Sequence, residues 1–276
     1  MSAISRGWEL RKQSWAVVRD HRPLAILSGL SAFSSLVAPA AIWTAAAMHT
    51  GVCRVVDPDS TVFWVATALT LFLTLFIGTF FNVALAACAA RSLRGEDVTV
   101  VECVVTAIRL IGSVLSWTVI TGTVGVFLTT ARFTVLGREL EERITGATWD
   151  VATFFVVPLI TFEHIGPWSS QKRSAQLVKT TWGKDVTPTG ILMDDLVTMG
   201  PAVIGGAGYF FLTTQGFSVF WFAVTVVGVA STVLASIITS ALNVIVRVAV
   251  YLYLVTGQAP YAFDATVVRE SFERKQ

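Results

Sequence analysis

Apolar residues run along this chain in long unbroken stretches separated by short polar connections. A helix needs about 20 apolar residues to cross the hydrocarbon core of a bilayer. Six stretches meet or approach that length: Leu24 to Met48, Val62 to Ala90, Val104 to Thr130, Ala147 to Phe162, Ile191 to Leu212 and Val219 to Val246. None alternates with the period of a barrel strand. The pattern predicts an all-α, polytopic membrane helix bundle in a single domain, 1–276, with about six transmembrane helices and amphipathic interfacial helices. The fourth stretch is short and holds Pro158, so spans three and four read either as two crossings or as a re-entrant pair.

The connections add detail. Ile4, Trp8, Trp15 and Val18 form an apolar stripe among basic residues in 1–22, and Trp168, Ala175, Val178 and Trp182 do the same in 167–182. Both segments read as helices lying in the membrane interface, attracted to anionic lipid. Between spans three and four, Phe133, Leu136, Leu140 and Ile144 recur at helical spacing, with Arg138–Glu142 and Glu139–Arg143 as i,i+4 pairs. This predicts an outer surface helix over 131–146. Residues 257–276 read as a tail.

Charge then sets direction. Of the 20 basic residues, 16 fall on one side: five before the first span, Arg91, Arg94 and Arg109, Lys172, Arg173, Lys179 and Lys184, and four from Arg247 onward. The positive-inside rule places that side, and both termini, in the cytoplasm. Tryptophans fall mainly at span ends, as interfacial residues should. The first apolar stretch is too long for a cleaved signal peptide, so it reads as a retained span.

Composition narrows the function. Of 276 residues, 54% are hydrophobic and 14% charged, against about a quarter charged in soluble proteins. That excludes a soluble enzyme and a nucleic-acid-binding module. No phosphate-binding glycine loop or nucleophile elbow is present, and the cysteine and histidine spacings fit no metal site. No carboxylate or histidine sits deep in a span, where a proton-coupled carrier would place one. No catalytic residue, metal or cofactor is expected.

Polar residues do line two spans. Thr67, Thr70, Thr74, Gly78 and Asn82 share one face of the second, and Gly228, Thr232, Ser236, Ser240, Asn243 and Arg247 one face of the sixth. Small polar stripes let membrane helices pack closely; the other reading is a hydrated path. An amide in hydrocarbon needs a partner, so Asn82 and Asn243 are expected to face each other. Arg6-x3-Leu10-x-Lys12-x-Ser14-Trp15 also has the spacing of Arg173-x3-Leu177-x-Lys179-x-Thr181-Trp182, which hints at two like-oriented repeats of one helix plus two spans.

The order Phe155-Val156-Val157-Pro158, Glu163, Gly166-Pro167, Lys172-Arg173-Ser174 and Thr181-Trp182-Gly183 is specific, as are Phe80-Phe81-Asn82 with Gly95 and the ending Arg247, Tyr251, Tyr253, Thr256-Gly257, Pro260 and Phe263-Asp264. Nearly the whole chain resembles an uncharacterised family of prokaryotic six-span membrane proteins. The resemblance implies a cytoplasmic-membrane protein and no activity. It draws attention to Glu163, Lys172, Arg173 and Trp182, where Glu163 is expected to hold the following helix through Lys172 or Arg173. The expected role is a non-enzymatic scaffold or accessory subunit, with membrane lipid and a second copy or another membrane protein as partners. An oligomeric channel lined by spans two and six and a lipid-handling protein are the alternatives.

Overall fold

The computed structural model describes residues 3–50, 59–125, 127, 149–182, 189–214, 218–258, 260 and 263. The surface helix expected over 131–146, most of the tail expected over 257–276 and the Trp182 side chain lie outside the described residues. Among those described, every element is helical: α1 (Ala3–Asp20), α2 (Arg22–Thr50), α3 (Thr61–Ser92), α4 (Val100–Arg109), α5 (Ile111–Ile120) with a π-helical turn at Thr121–Gly125, α6 (Trp149–Ala152), α7 (Val156–Glu163), α8 (Pro167–Trp182), α9 (Thr189–Thr214) and α10 (Val219–Thr256).

Local sequence explains the ends of the long helices. Ser60 caps α3, its hydroxyl accepting from the Phe63 N–H at 3.2 Å. At the other end Gly95 takes a left-handed conformation (φ 77°). The Glu96 and Gly95 N–H groups then return to the Arg91 and Ser92 carbonyls at 3.1 and 3.0 Å, closing a Schellman-type stop. Gly257 (φ 71°) stops α10 in the same left-handed conformation.

Six straight crossings are not what these residues build. Three helices, α2, α3 and α10, are long and apolar enough to cross a membrane, and α4 with α5 makes a fourth only if a 67° bend is counted within one span. The bend falls at Leu110, whose ψ of 12° leaves the helical region. It puts exposed Arg109 at an elbow, outside the apolar run that begins at Ile111. A straight helix would carry that guanidinium into the hydrocarbon.

The expected fourth span, 147–162, is also corrected. It is two short helices, α6 and α7, separated by a turn at 153–155. Proline has no N–H to give a continuing helix, yet is tolerated in a first turn; Pro158 is the third residue of α7, so the helix restarts just before it. The eight residues of α7 extend about 12 Å, far short of a roughly 30 Å core. The backbone N–H freed at Phe155 donates to the Ser174 hydroxyl of α8 at 2.9 Å.

That bond shows how α8 lies. It runs back along α7 and α6 as the second arm of a hairpin, because Val178 packs with Phe155 and Leu159 while Arg173 meets Glu163. Its buried face is Ser170, Gln171, Ser174, Ala175 and Val178. The expected interfacial helix thus rests on protein: Ala175 and Val178, read from sequence as lipid-facing, are packed inside. Trp149, expected at an outer interface, is buried and stacked on Trp117 at 5.9 Å.

α9 and α10 form a second hairpin. Gly205 abuts Gly228 and Gly208 abuts Thr225, an inverse order that only antiparallel helices give. A Cβ on Gly228 would lie 2.4 Å from the Gly205 backbone. Small residues here allow the close approach that stabilises helix pairs in lipid.

The core gathers at one end. Val83, Leu85, Cys88 and Ala90 of α3, Ala241, Val244, Ile245 and Val248 of α10, Leu24 and Leu27 of α2, Val17 and Val18 of α1, Cys103 and Ala107 of α4 and Val157 of α7 share one buried cluster. Arg91, Arg94 and the end of α10 lie at this same end. The opposite halves of the long helices stand exposed: Phe33, Leu36 and Met48 on α2, Trp64 and Leu69 on α3, and Phe220, Val227 and Leu234 on α10. A packed basic-end platform therefore carries paired long helices whose outward faces are apolar and exposed.

The two halves share an order of elements: a short helix, then two long ones. Their packing differs, because α1 rests on α10, α2 and α9, whereas α8 rests on α6, α7 and α5.

Candidate functional site

Polar groups converge where α7, α8 and α10 meet. The αL residue His164 (φ 52°) ends α7 and leaves Glu163 at its last position. The Arg173 Nε donates to Glu163 Oε1 at 3.0 Å and lies 2.7 Å from Oε2, completing an ion pair. The Tyr251 hydroxyl donates to Glu163 Oε1 at 3.0 Å. One carboxylate thereby ties three elements together, two of them far apart in the chain. Tyr251 is buried, and its ring stacks on Phe162 at 5.6 Å. One turn earlier on α10, the Arg247 guanidinium lies over the Phe154 ring at 5.1 Å, a cation–π contact. Lys172 is not the partner of Glu163; its Nζ lies 6.0 Å from the centre of the Trp168 ring.

A second polar junction closes the turn after α3. Arg91 reaches Glu96 with Nε at 3.1 Å and Glu102 with Nη1 at 2.9 Å. It joins the end of α3 to the first turn of α4, where an acidic residue also suits the helix dipole. The thiols of Cys88 on α3 and Cys103 on α4 are both buried.

The stripe residues differ in exposure. Thr74 and Ser236 are exposed, Thr70, Gly78, Asn82, Thr232, Ser240 and Asn243 half-buried. Several hydroxyls bond their own helix: Thr67 to the Phe63 carbonyl at 2.8 Å, Thr225 to Trp221 at 2.8 Å, Thr232 to Gly228 at 2.7 Å. No hydrogen bond is recorded between Asn82 and Asn243 among the described residues, and Asn243 has a contact of its own. Among the described residues, the buried Thr70 and Thr121 hydroxyl oxygens have no hydrogen-bond partner. A cavity of about 410 Å³ between the far halves of α2 and α3 is lined by apolar side chains such as Ile42, Ala46, Val65 and Leu69, with His49 at its edge.

Four residues that matter here escaped the sequence reading as site residues. Tyr251 follows Arg247 by four positions, so it shares that face of α10, a legible signal. Gly205 and Gly208 carry a small-residue spacing in the fifth apolar stretch. Ser174 looked like an ordinary polar residue, and only the break at 153–155 gives its hydroxyl a role.

No curated protein and no solved structure gives a match to the chain. Residues 61–261 match the family model of DUF6159, a family of unknown function, and the chain belongs to that family.

Proposed function

We propose that this protein is a non-enzymatic, multi-pass component of a prokaryotic cytoplasmic membrane, serving as a scaffold or accessory subunit. The helices α2, α3 and α10 cross the bilayer, with α9 packed antiparallel against α10, the bent α4–α5 pair and the short α7 enter it without a straight crossing, and the basic end faces the cytoplasm. The observation that carries this reading is the uneven burial of the molecule. Its tight packing lies at the basic end, while the far halves of the long helices offer broad apolar surface suited to lipid or to a membrane partner. The stripe hydroxyls support it further, since those bonded to their own carbonyls require no water.

Native mass spectrometry of the gently extracted full chain tests the proposal. A single copy carrying a stoichiometric second protein is the expected result. A closed homo-oligomer that conducts ions after reconstitution would contradict it and support the second reading, an oligomeric channel or facilitator. That reading draws on Thr70 and Thr121, whose unpartnered oxygens are polar groups in an apolar setting.

A further inference from the structure

The face of α8 turned away from the protein carries a distinct pattern. Trp168, Lys172 and Lys179 follow at intervals of four and seven residues, so they share one side of the helix. Trp168 is 41% exposed and both lysines are exposed. Among the described residues no ion pair engages Lys172 or Lys179, whereas the neighbouring Arg173 is held back by Glu163. The opposite face of α8, from Ser170 to Val178, is locked onto α6 and α7. The exposed face is therefore presented rigidly, not left over from a loose helix.

α1 is built the same way. Ser14, Val17 and Val18 are buried, while Trp15 is 46% exposed and exposed Arg19 follows four residues later. An indole is best placed where its ring meets apolar chains and its N–H meets polar groups, which is the bilayer interface. Ammonium groups at that interface meet lipid phosphates, and each adds to the attraction of an anionic leaflet.

We propose that Trp168, Lys172 and Lys179 form a docking site for the phosphate headgroup of an anionic phospholipid, with Trp15 and Arg19 as a second contact on the same membrane surface. The indoles enter the interface, the lysines pair with phosphate, and the Glu163 bridge keeps α8 at the right height. This rests on the membrane reading above.

The test uses the full chain in mild detergent, incubated with equal phosphatidylglycerol and phosphatidylcholine and examined by native mass spectrometry. Preferential retention of phosphatidylglycerol is expected. The Lys172→Gln/Lys179→Gln double variant should lose roughly an order of magnitude of that preference, and Trp168→Ala should weaken retention of both lipids. These side chains are exposed, so the melting temperature should not change. Equal retention of the two lipids, or a preference untouched by the double variant, overturns the proposal. Failure of the membrane reading would look different: the chain would be recovered in the soluble fraction without detergent.

Discussion

Glu163 accepts from a guanidinium and from a phenol at once, and its side chain is only 23% exposed. Removing its charge leaves Tyr251 a neutral acceptor but leaves Arg173 without an anionic one. Glu163→Gln should therefore destabilise the hairpin by about 1 kcal/mol, near the low end for charged hydrogen bonds because Arg173 is half exposed. Trypsin cleavage after Lys172 and Arg173 should accelerate. An unchanged melting temperature with an unchanged cleavage rate would show that the bridge does not hold α8. The family resemblance drew attention to Glu163 and to a cation on the next helix as its partner, but not to which cation. That choice depends on α8 folding back along α7, which places Arg173 beside the carboxylate and swings Lys172 toward Trp168. Tyr251 was legible as a neighbour of Arg247 on one face of α10, but its bond to Glu163 was not, since 88 residues separate the two.

At the scale of elements, the close approach of α9 and α10 makes a sharp contrast between two glycines. A Cβ on Gly228 would collide with the Gly205 backbone, whereas one on Gly78 has nothing within 4 Å. Gly228→Ala should force the helices apart and cost about 1–3 kcal/mol. Gly78→Ala should be neutral or mildly stabilising, because glycine in a helix interior costs about 0.5–1 kcal/mol relative to alanine. Thermal denaturation of the two variants in the same detergent checks both; equal melting temperatures would refute the assigned packing. Long helices such as α2, α3 and α10 were readable from apolar length alone. The breaks at Leu110 and at 153–155 were not. Apolar length says that a segment avoids water, and it does not say whether lipid or protein covers it. In α7 the apolar residues Val156, Leu159 and Ile160 are covered by protein, so a stretch with the composition of a span is part of the core.

For the molecule as a whole, the proposed role rests on a packed platform at the basic end and requires that no aqueous path run between α3 and α10. Thr74 and Ser236 are the exposed members of the two stripes, so they separate a lipid-facing surface from a water-filled one. The most direct measurement is the labelling of Thr74→Cys and Ser236→Cys by a membrane-impermeant thiol reagent in sealed vesicles of either orientation. Cys53→Ser serves as background and Arg94→Cys, in the exposed turn after α3, as the reactive control. The account predicts that Arg94→Cys labels from the basic side, while neither stripe position labels from either side. Rapid labelling of both stripe cysteines would contradict it and place water between the hairpins.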